Sequence, residues 1–593
     1  MAQAFGSGAP GVQVREIDLT NSVAAVGTSA AALVGDFVWG PVDERTQIST
    51  DTEMAFIFGK PNDRNYVDWF VGKSFLAYSS NLQVVRVVDS DARNATGDAS
   101  GLLVKNKQEF NMINDSDHST KLFVAKYPGV IGNSLKVSIA DQGNFKNWQY
   151  ADEFDASPGT SEYATSLGAK YDEVHAVVVD ELGEFTGIPG TILERYSFLS
   201  KALDAKALDG APMYYGNVIN NQSQYVWFVG NPQASKYYEN DGSLDSITDA
   251  LGDWGTKLIV SGQPTKYKIL KANVTPQHDG EVVKLAGGLD GTKPDANELV
   301  LGWNQFRSTE EVDIGILITS DGGGELSHTT VVQHVIDNLC ENRKDCVTVI
   351  SPKKSDVMNK TQSQAVDSIK KTRNAIGRSS NYAIMDSGWK LTYDVYNDTY
   401  RWIPLNGDVA GLMASTERDY DAWWSPAGFN RGRLKNVTSL AFNPNEDSRD
   451  ALYKVQVNPV VSFLNEGTVL YGDKTMQAKA SAFQFINVRR LFITLEKSIG
   501  KSAKYLLFEF NDEVSRATFR NMVEPFLREV KGRRGIYDFK VVVDETNNTP
   551  EVIDAAQFVG AIYVKPARSI NYIRLDFVAV RTGVEFSEVV GTY

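Results

Sequence analysis

One stretch in the middle of the chain alternates apolar runs with amphipathic segments. The runs at 312–319, 346–350 and 382–386 suit buried strands, and the segments at 327–341 and 363–376 suit helices. Strands that are joined through a helix pair in parallel, and the crossover between them is right-handed. This stretch therefore predicts a parallel α/β sheet.

Two earlier apolar runs have the same character. Residues 30–39 and 82–88 read as strands, and residues 65–79 between them place apolar side chains at helical spacing. We expect both runs to join the later sheet, which makes the α/β domain discontinuous in sequence. The intervening segment 89–285 is polar, contains short β-like runs and carries a net charge of −9. It is predicted to be an inserted β-rich domain.

The last part of the chain has a different organisation. Apolar residues recur at helical spacing over 488–499 and 519–527, which predicts two amphipathic helices. Strands are expected at 537–543 and 557–564, and the segment 569–580 alternates apolar and polar side chains as a final strand does. An α+β domain is the fold that this pattern favours.

The predicted fold class is α/β plus β, in several domains. An extended arm occupies 1–20, and the two parts of the α/β middle domain occupy 21–88 and 286–455. The inserted β-rich domain is expected at 89–285, and the α+β C-terminal domain with its terminal linker strand at 456–593.

Composition narrows the classes of function. The net charge is −14, so nucleic acid is not expected as a direct partner. No run of ~18 apolar residues occurs, so membrane insertion is not expected. The two cysteines, Cys340 and Cys346, provide neither a disulfide framework nor metal-site spacing. Residues 454–593 carry a net charge of +3, which is either ordinary scatter or a surface that meets an acidic partner.

The motifs that resemble cofactor sites lack the required context. Gly6, Gly8 and Gly11 form a literal G-x-G-x-x-G, but no strand precedes it and an extended segment follows. The run Gly322–Gly324 between a strand and a helix lacks the Lys-Ser/Thr of a phosphate loop. An α/β nucleotide-binding enzyme would need such a loop. We therefore expect no catalytic, cofactor-binding or metal-binding residues.

Many ordered motifs point to one family. They are PGVQVREID at 10–18, GDFVWGPVDE at 35–44, RWIPLNGDVAGLMA at 401–414, SPAGFNRG at 425–432, VNPVV at 457–461, VLYGDKT at 469–475, FINVRRLF at 485–492, FEFND at 508–512, ETNNTPEVID at 545–554 and KPARSINYIRLDF at 565–577. On these residues the chain resembles the contractile tail sheath proteins of myovirus-type bacteriophages. The resemblance covers nearly everything except the insert at 89–285.

The resemblance implies a structural subunit and not an enzyme. Sheath subunits of this family stack as hexameric rings around a tail tube, and the sheath then shortens to drive the tube through the host envelope. The implied partners are other copies of the chain, the tail tube protein, and the baseplate and tail terminator proteins. The implied location is the virion tail, after assembly in the host cytoplasm. The sheath of a related contractile injection system, such as a phage-tail-like bacteriocin, shares this mechanism and stays an alternative.

The resemblance also implies that terminal strands reach into neighbouring subunits and that the insert faces outward. An unpaired strand edge recruits other chains, and in a polymer it becomes a connector by strand addition. The residues expected to mediate this exchange are Val12, Val14, Ile17, Ile573, Leu575 and Phe577.

The C-terminal domain of the family faces the tube, and here it is the net-positive section. Basic residues on or just after its two predicted helices are therefore the expected tube contacts. They are Arg489, Lys497, Lys501, Lys504, Arg516, Arg520, Arg533 and Arg534.

Overall fold

The computed structural model describes residues 27–113, 121–231, 250–270 and 281–571. The chain divides into two compact units, which are treated separately below. The larger contains Gly27–Ala422 and Pro426–Lys479; the smaller, among the described residues, contains Trp423–Ser425 and 480–571. None of the described helices is both long and apolar enough to cross a lipid bilayer.

A seven-stranded sheet, called the central sheet below, organises the larger unit. From one edge to the other its strands are Val457–Asn458, Ala383–Asp386, Val347–Ile350, Ile316–Ile318, Ala31–Gly35, Leu82–Arg86 and Arg45–Ile48. Every neighbouring pair is parallel except the last, which is antiparallel. The predicted parallel sheet is confirmed, and strands from both sides of the insert contribute to it.

The strand Val457–Asn458 corrects one predicted boundary. The C-terminal domain was expected to begin at 456, but this strand pairs in parallel with Ala383–Asp386 at the edge of the central sheet. The larger unit therefore continues to Lys479. Because the strand has only two residues, it shows no alternation that sequence reasoning could have detected.

The α-helices cover the central sheet, build parts of the insert and dominate the smaller unit. They span Asp51–Phe58, Tyr66–Leu76, Lys107–Met112, Glu162–Ser166, Tyr215–Gln222, Ala296–Asn304, His328–His334, Glu341–Arg343, Lys354–Val357, Gln362–Ile376, Asn406–Asp419, Glu446–Lys454, Ile486–Ala503, Glu513–Gly532 and Pro550–Asp554. The predicted helix at 327–341 is present, but its middle, Val335–Cys340, is π-helical.

Glycines allow close packing of the central sheet on one helix and of that helix on its neighbour. A Cβ atom at Gly35 would lie 2.6 Å from the Cβ of Asp68, which belongs to the helix Tyr66–Leu76. A Cβ atom at Gly407, on a neighbouring helix, would lie 2.5 Å from the carbonyl oxygen of Val71. Both contacts are shorter than van der Waals packing allows, so this arrangement requires glycine at these two positions.

The insert is built on an antiparallel sheet of four strands. Their order is Glu281–Lys284, Leu135–Ala140, Glu173–Asp180 and Thr191–Ser200. The larger unit also has smaller sheets. Two are two-stranded: Phe123–Ala125 with Val226–Phe228, and Val460–Phe463 with Gly467–Leu470. Two are three-stranded: Gln263–Tyr267 lies between Ile259–Val260 and Ala250–Gly252, and Trp389–Asp394 lies between Thr399–Pro404 and Ser439–Leu440.

The insert is joined to the α/β region by a packed and hydrogen-bonded seam. Trp39, from the first part of the α/β region, lies in the insert's hydrophobic core, 5.1 Å from the ring of Phe185. The buried guanidinium of Arg86 donates to the carbonyl oxygens of Phe37 and Pro128, at 2.7 Å each. Pro128 belongs to the insert, so one side chain connects the two regions.

The smaller unit contains the two predicted C-terminal helices, Ile486–Ala503 and Glu513–Gly532. They are followed by a hairpin of Ile536–Val542 and Ala561–Pro566, with the short helix Pro550–Asp554 between its strands. Apolar faces of both helices share one core with the inner face of the hairpin. The second hairpin strand was predicted to begin at 557. It begins four residues later, after the short helix and the irregular residues 555–560 that follow it.

Candidate assembly surfaces of the carboxyl-terminal unit

The hairpin Ile536–Val542 with Ala561–Pro566 has unpaired edges on both sides, among the residues that the structure describes. Its outer face carries Tyr537 and Tyr563, whose side chains are largely exposed. A two-stranded sheet is only marginally stable by itself, and its open edges are templates for further strands. The hairpin therefore has the geometry of an acceptor for strand addition.

The residues predicted to supply the added strands lie outside the described part of the chain. This applies to the whole set: Val12, Val14, Ile17, Ile573, Leu575 and Phe577. The described chain ends at Asn571, five residues after the second hairpin strand and just before the apolar positions of the final predicted strand. Strand exchange through these residues stays a prediction.

The basic residues predicted to meet the tube fall into two groups. Arg489 is buried and pairs with Glu496 at 3.1 Å, so it belongs to the interior of its own unit. Arg516 and Arg520 donate to the backbone carbonyls of Asn511 and Val543, at 3.3 and 2.8 Å. These three side chains stabilise the unit and are poor candidates for an external contact.

The second group is accessible. Lys497 is half-buried, whereas Lys501, Lys504, Arg533 and Arg534 are exposed. The guanidinium groups of Arg533 and Arg534 lie 5.6 and 5.4 Å from the ring centres of Trp423 and Trp424, respectively. Such cation–π contacts hold a charged group in place while leaving it in contact with solvent.

An apolar feature of this unit was missed by the sequence analysis. Between the two helices, Tyr505, Leu507, Phe508 and Phe510 are 79, 63, 104 and 85% exposed. We call Lys504 to Phe510 the interhelix segment. The signal was visible as the run KYLLFEF, which breaks the helical period between two amphipathic helices. Local periodicity does not say whether such a run is buried, and the fold shows that it is exposed.

The carboxyl edge of the central sheet, where open α/β sheets bind ligands, is filled by protein. The side-chain amide of Asn406 donates to the Ser320 carbonyl at 2.6 Å, and its backbone N–H donates to the Ser351 hydroxyl at 3.0 Å. The Ser351 hydroxyl in turn donates to Asp386 at 2.6 Å. The helix Asn406–Asp419 thus begins inside the position that a ligand would occupy.

The carboxyl groups at this edge are shielded from solvent. Burial raises the pKa of Asp386 to about 8, against hydrogen bonds from Ser351 and Gly388 that lower it. Burial, with the nearby Asp321 carboxylate, raises the pKa of Asp68 to about 7. Perturbed carboxyl groups often mark active sites, but here they are enclosed in a packed hydrogen-bond network.

The glycine run at 322–324 is also closed to anions. The Asp321 carboxylate accepts the backbone N–H groups of Gly323 and Gly324, at 3.0 and 3.1 Å. Those donors would otherwise be free for a phosphate. Within the described ranges no group of three or more His, Cys, Asp or Glu side chains could hold a metal ion, and Cys340 and Cys346 are buried thiols.

The open strand edges and the exposed basic and apolar side chains are features of a protein that assembles with other chains. Comparison with known sequences identifies the assembly. Residues 295–476 match the family model of the phage tail sheath protein central domain, and residues 478–579 match that of the phage tail sheath C-terminal domain.

Relatives match over almost the whole chain. The tail sheath protein of Vibrio phage KVP40 is 32% identical, with 98% of this chain and 99% of the relative covered. The tail sheath protein of Enterobacteria phage T4 is 33% identical over the same shares of the two chains. The chain belongs to the family of phage tail sheath proteins. Like these relatives, it is a structural protein of contractile tails and not an enzyme.

Solved structures show the same fold. The sheath tail protein of Desulfitobacterium hafniense aligns with a TM-score of 0.50 at 10% identity, covering 94% of this chain and 100% of that one. The sheath tail protein of Listeria innocua gives a TM-score of 0.50 at 11% identity, covering 92 and 97% of the two chains. The mixed α/β prediction is thereby confirmed.

Proposed function

We propose that this chain polymerises as stacked hexameric rings around a tail tube, and that contraction of this sheath drives the tube through the host envelope. The full-length match to tail sheath proteins is the observation that carries the proposal. The polymer is assembled in the host cytoplasm, becomes part of the virion tail, and meets the baseplate and the tail terminator at its ends. Contraction needs two arrangements of the same subunits and no nucleotide site.

Strand exchange links the subunits in this proposal. The hairpin Ile536–Val542 with Ala561–Pro566 supplies an open edge, and the segments 1–20 and 569–580 supply strands from neighbouring copies. Backbone hydrogen bonds across such a joint are independent of side-chain identity. They tether subunits while rigid bodies rearrange around them.

The charged contact with the tube is the second part of the proposal. Lys501, Lys504, Arg533 and Arg534 remain as candidates, because they are exposed on a net-positive part of the chain. Exposed ion pairs contribute about 0–1 kcal/mol each. A set of weak contacts holds the extended sheath on the tube and still releases during contraction.

The insert at 89–285 faces outward in this arrangement. Its composition supports the proposal, since the segment carries a net charge of −9 while residues 454–593 carry +3. An acidic exterior keeps assembled tails apart in solution.

Electron microscopy of the purified, concentrated protein tests the proposed function. Long striated tubes of constant diameter are expected, with or without purified tail tubes. Discrete particles that never form an ordered polymer, under conditions in which tail tubes are intact, would contradict it.

A further inference from the structure

We propose that His175 is an acid-sensitive latch within the insert, and that the strand Thr191–Ser200 loosens from its sheet when the imidazole takes up a proton. The inference goes beyond the proposed function and does not depend on it. His175 lies on the strand Glu173–Asp180 and is completely buried. Thr191–Ser200 is the last strand in the order of the insert's four-stranded sheet, and it pairs with Glu173–Asp180.

The two strands do not pair regularly at His175. Val174 lies opposite Leu199 and Ala176 lies opposite Tyr196, so residues 197 and 198 together face His175. This arrangement is a β-bulge, which interrupts the hydrogen bonds between strands. Phe198 has a φ of +52°, a left-handed conformation that aromatic residues rarely adopt. Its backbone N–H needs an acceptor other than a strand carbonyl.

The imidazole supplies that acceptor. The Phe198 N–H donates to Nδ1 of His175 at 3.0 Å, and because a backbone N–H can only donate, Nδ1 carries no proton. The other ring nitrogen, Nε2, lies 2.9 Å from the carbonyl oxygen of Ala156, which can only accept. Nε2 therefore carries the proton. The two contacts together require the neutral ring.

The surroundings of the ring disfavour a charge. The Phe154 ring stacks on the imidazole at 4.3 Å, and the Phe198 ring meets it edge-on at 4.6 Å. Burial lowers the pKa of His175, against a hydrogen bond to the Ala156 backbone that raises it. The face of Phe154 attracts a cation. A proton on Nδ1 would nevertheless point at the Phe198 N–H and remove its acceptor.

Charged side chains on the surrounding segments do not offset a charge on this ring. They have other partners, as Asp141 has Lys201 and Glu153 has Arg195 at 2.7 Å each, or they lie in solvent. Within the described ranges no carboxylate is hydrogen-bonded to His175. The charged groups concerned are Lys136, Asp141, Lys146, Asp152, Glu153, Asp155, Asp172, Glu173, Asp180, Glu194, Arg195 and Lys201.

Glu173, two residues before His175, titrates in the opposite sense. Burial raises the pKa of its carboxyl group, so its contribution to stability is complete in acid and is lost as the pH rises. Acid loosening at this bulge therefore cannot be assigned to Glu173.

The sign for His175 follows from its hydrogen bonds. The folded strand pair holds the neutral ring, whereas a loosened one exposes a ring that titrates at about 6.5. The stabilisation is complete above that pH and falls as the pH decreases from there towards the lower pKa of the folded state. A loosened outer strand exposes backbone groups that recruit other chains.

Hydrogen exchange of dilute, unassembled subunits, followed by mass spectrometry at pH 7, 6 and 5, tests the latch. After correction for the intrinsic exchange rate, protection of peptides covering 191–200 should fall by up to about tenfold per pH unit below about 6.5. In the variant His175→Gln the amide can donate to Ala156 and accept from Phe198 but cannot ionise, so its protection should stay constant. The matched control His334→Gln, on the helix His328–His334, should follow the wild type.

Two outcomes of the exchange experiment overturn the proposal. One is wild-type protection that stays constant down to pH 5, and the other is an equal decline in the wild type and in His175→Gln. Should His175→Gln unfold at lower temperature than the wild type, an NMR titration of the histidine-labelled wild-type chain decides. The His175 resonance is assigned by its absence from the variant's spectrum below the unfolding temperature. A proton on Nε2 at pH 7 and a pKa below about 6.5 are expected, and a pKa at or above that value overturns the proposal.

Discussion

At the scale of single residues, buried carboxyl groups of the central sheet determine how the stability of the larger unit depends on pH. The Asp386 carboxyl is completely buried and accepts hydrogen bonds from the Ser351 hydroxyl and the Gly388 N–H. Burial raises its pKa to about 8, so it is largely protonated at neutral pH. The unfolded chain ionises at its ordinary pKa of about 4. The stability contributed by this group is therefore complete below about pH 4 and is lost as the pH rises towards 8.

We expect Asp386→Asn to flatten this pH dependence. The amide keeps the shape and can donate to Ser351, but it cannot ionise. Between pH 5 and 8 the free energy of unfolding of the wild type should fall by up to about 4 kcal/mol more than that of the variant. Chemical denaturation at a series of pH values measures the difference. Asp367→Asn, at an exposed position on the helix Gln362–Ile376, is the control and should follow the wild-type profile. Parallel profiles for all three proteins would show that Asp386 ionises normally in the folded state.

Charge reversal tests the proposed tube contact. The variant replaces the four exposed cations Lys501, Lys504, Arg533 and Arg534 with glutamate. It should bind purified tubes more weakly than the wild type at low salt, and the difference should shrink as salt screens both proteins. Co-sedimentation with tubes over a range of salt concentrations provides the measurement.

A control variant with the same change of net charge tests whether the position of the reversed residues matters for tube binding. Exposed lysines of the larger unit are replaced with glutamate at Lys60, Lys170, Lys257 and Lys371. Tube binding with wild-type salt dependence is expected for this control. If the C-terminal reversal behaves in the same way, the tube contact does not depend on these cations.

At the scale of elements, sequence periodicity predicted long elements well and short ones poorly. The helices Ile486–Ala503 and Glu513–Gly532 repeat their apolar stripe over several turns, so their existence could be read directly. The strand Val457–Asn458 is too short to show a period. The π-helical turn Val335–Cys340 does not interrupt the apolar stripe of its helix, so periodicity could not reveal it.

The candidate site was predicted only in part, for a physical reason. A basic residue on an amphipathic helix is expected outside, yet Arg489 is buried and pairs with Glu496, which lies about two turns further along the same face of the helix. The apolar run at 505–510 drew no prediction, and apart from Leu506, which packs on the core, it faces solvent. Both outcomes depend on tertiary contacts that local periodicity does not contain.

Deletion of residues 1–18 tests the proposed arm. We expect a folded subunit with wild-type thermal unfolding that no longer builds sheaths on tubes, because the hairpin edge loses an added strand. Circular dichroism and electron microscopy measure the two properties. Removing residues 1–9 alone deletes a stretch of mostly small residues and leaves the β-patterned segment, so this control should assemble. Normal sheaths from the longer deletion would exclude the arm as a connector.

At the scale of the whole molecule, the insert is predicted to be the most accessible region of an assembled sheath. Limited proteolysis of sheaths should cut first within or beside 89–285, for example near Leu208, which is 94% exposed. Mass spectrometry of the early fragments identifies the sites, and unassembled subunits provide the comparison. Preferential cutting of assembled sheaths inside 485–580 would contradict the proposed inner position of the C-terminal unit.

The seam at Arg86 has a mechanical consequence for such a particle. One buried guanidinium joins Phe37 and Gly40 on the α/β side to Pro128 on the insert side, and Trp39 fills the space beside it. A rotation of the insert relative to the central sheet at this point would have to break the Arg86 hydrogen bonds and expose the Trp39 ring. We therefore expect that subunits of a contracting lattice rearrange at the joints between copies.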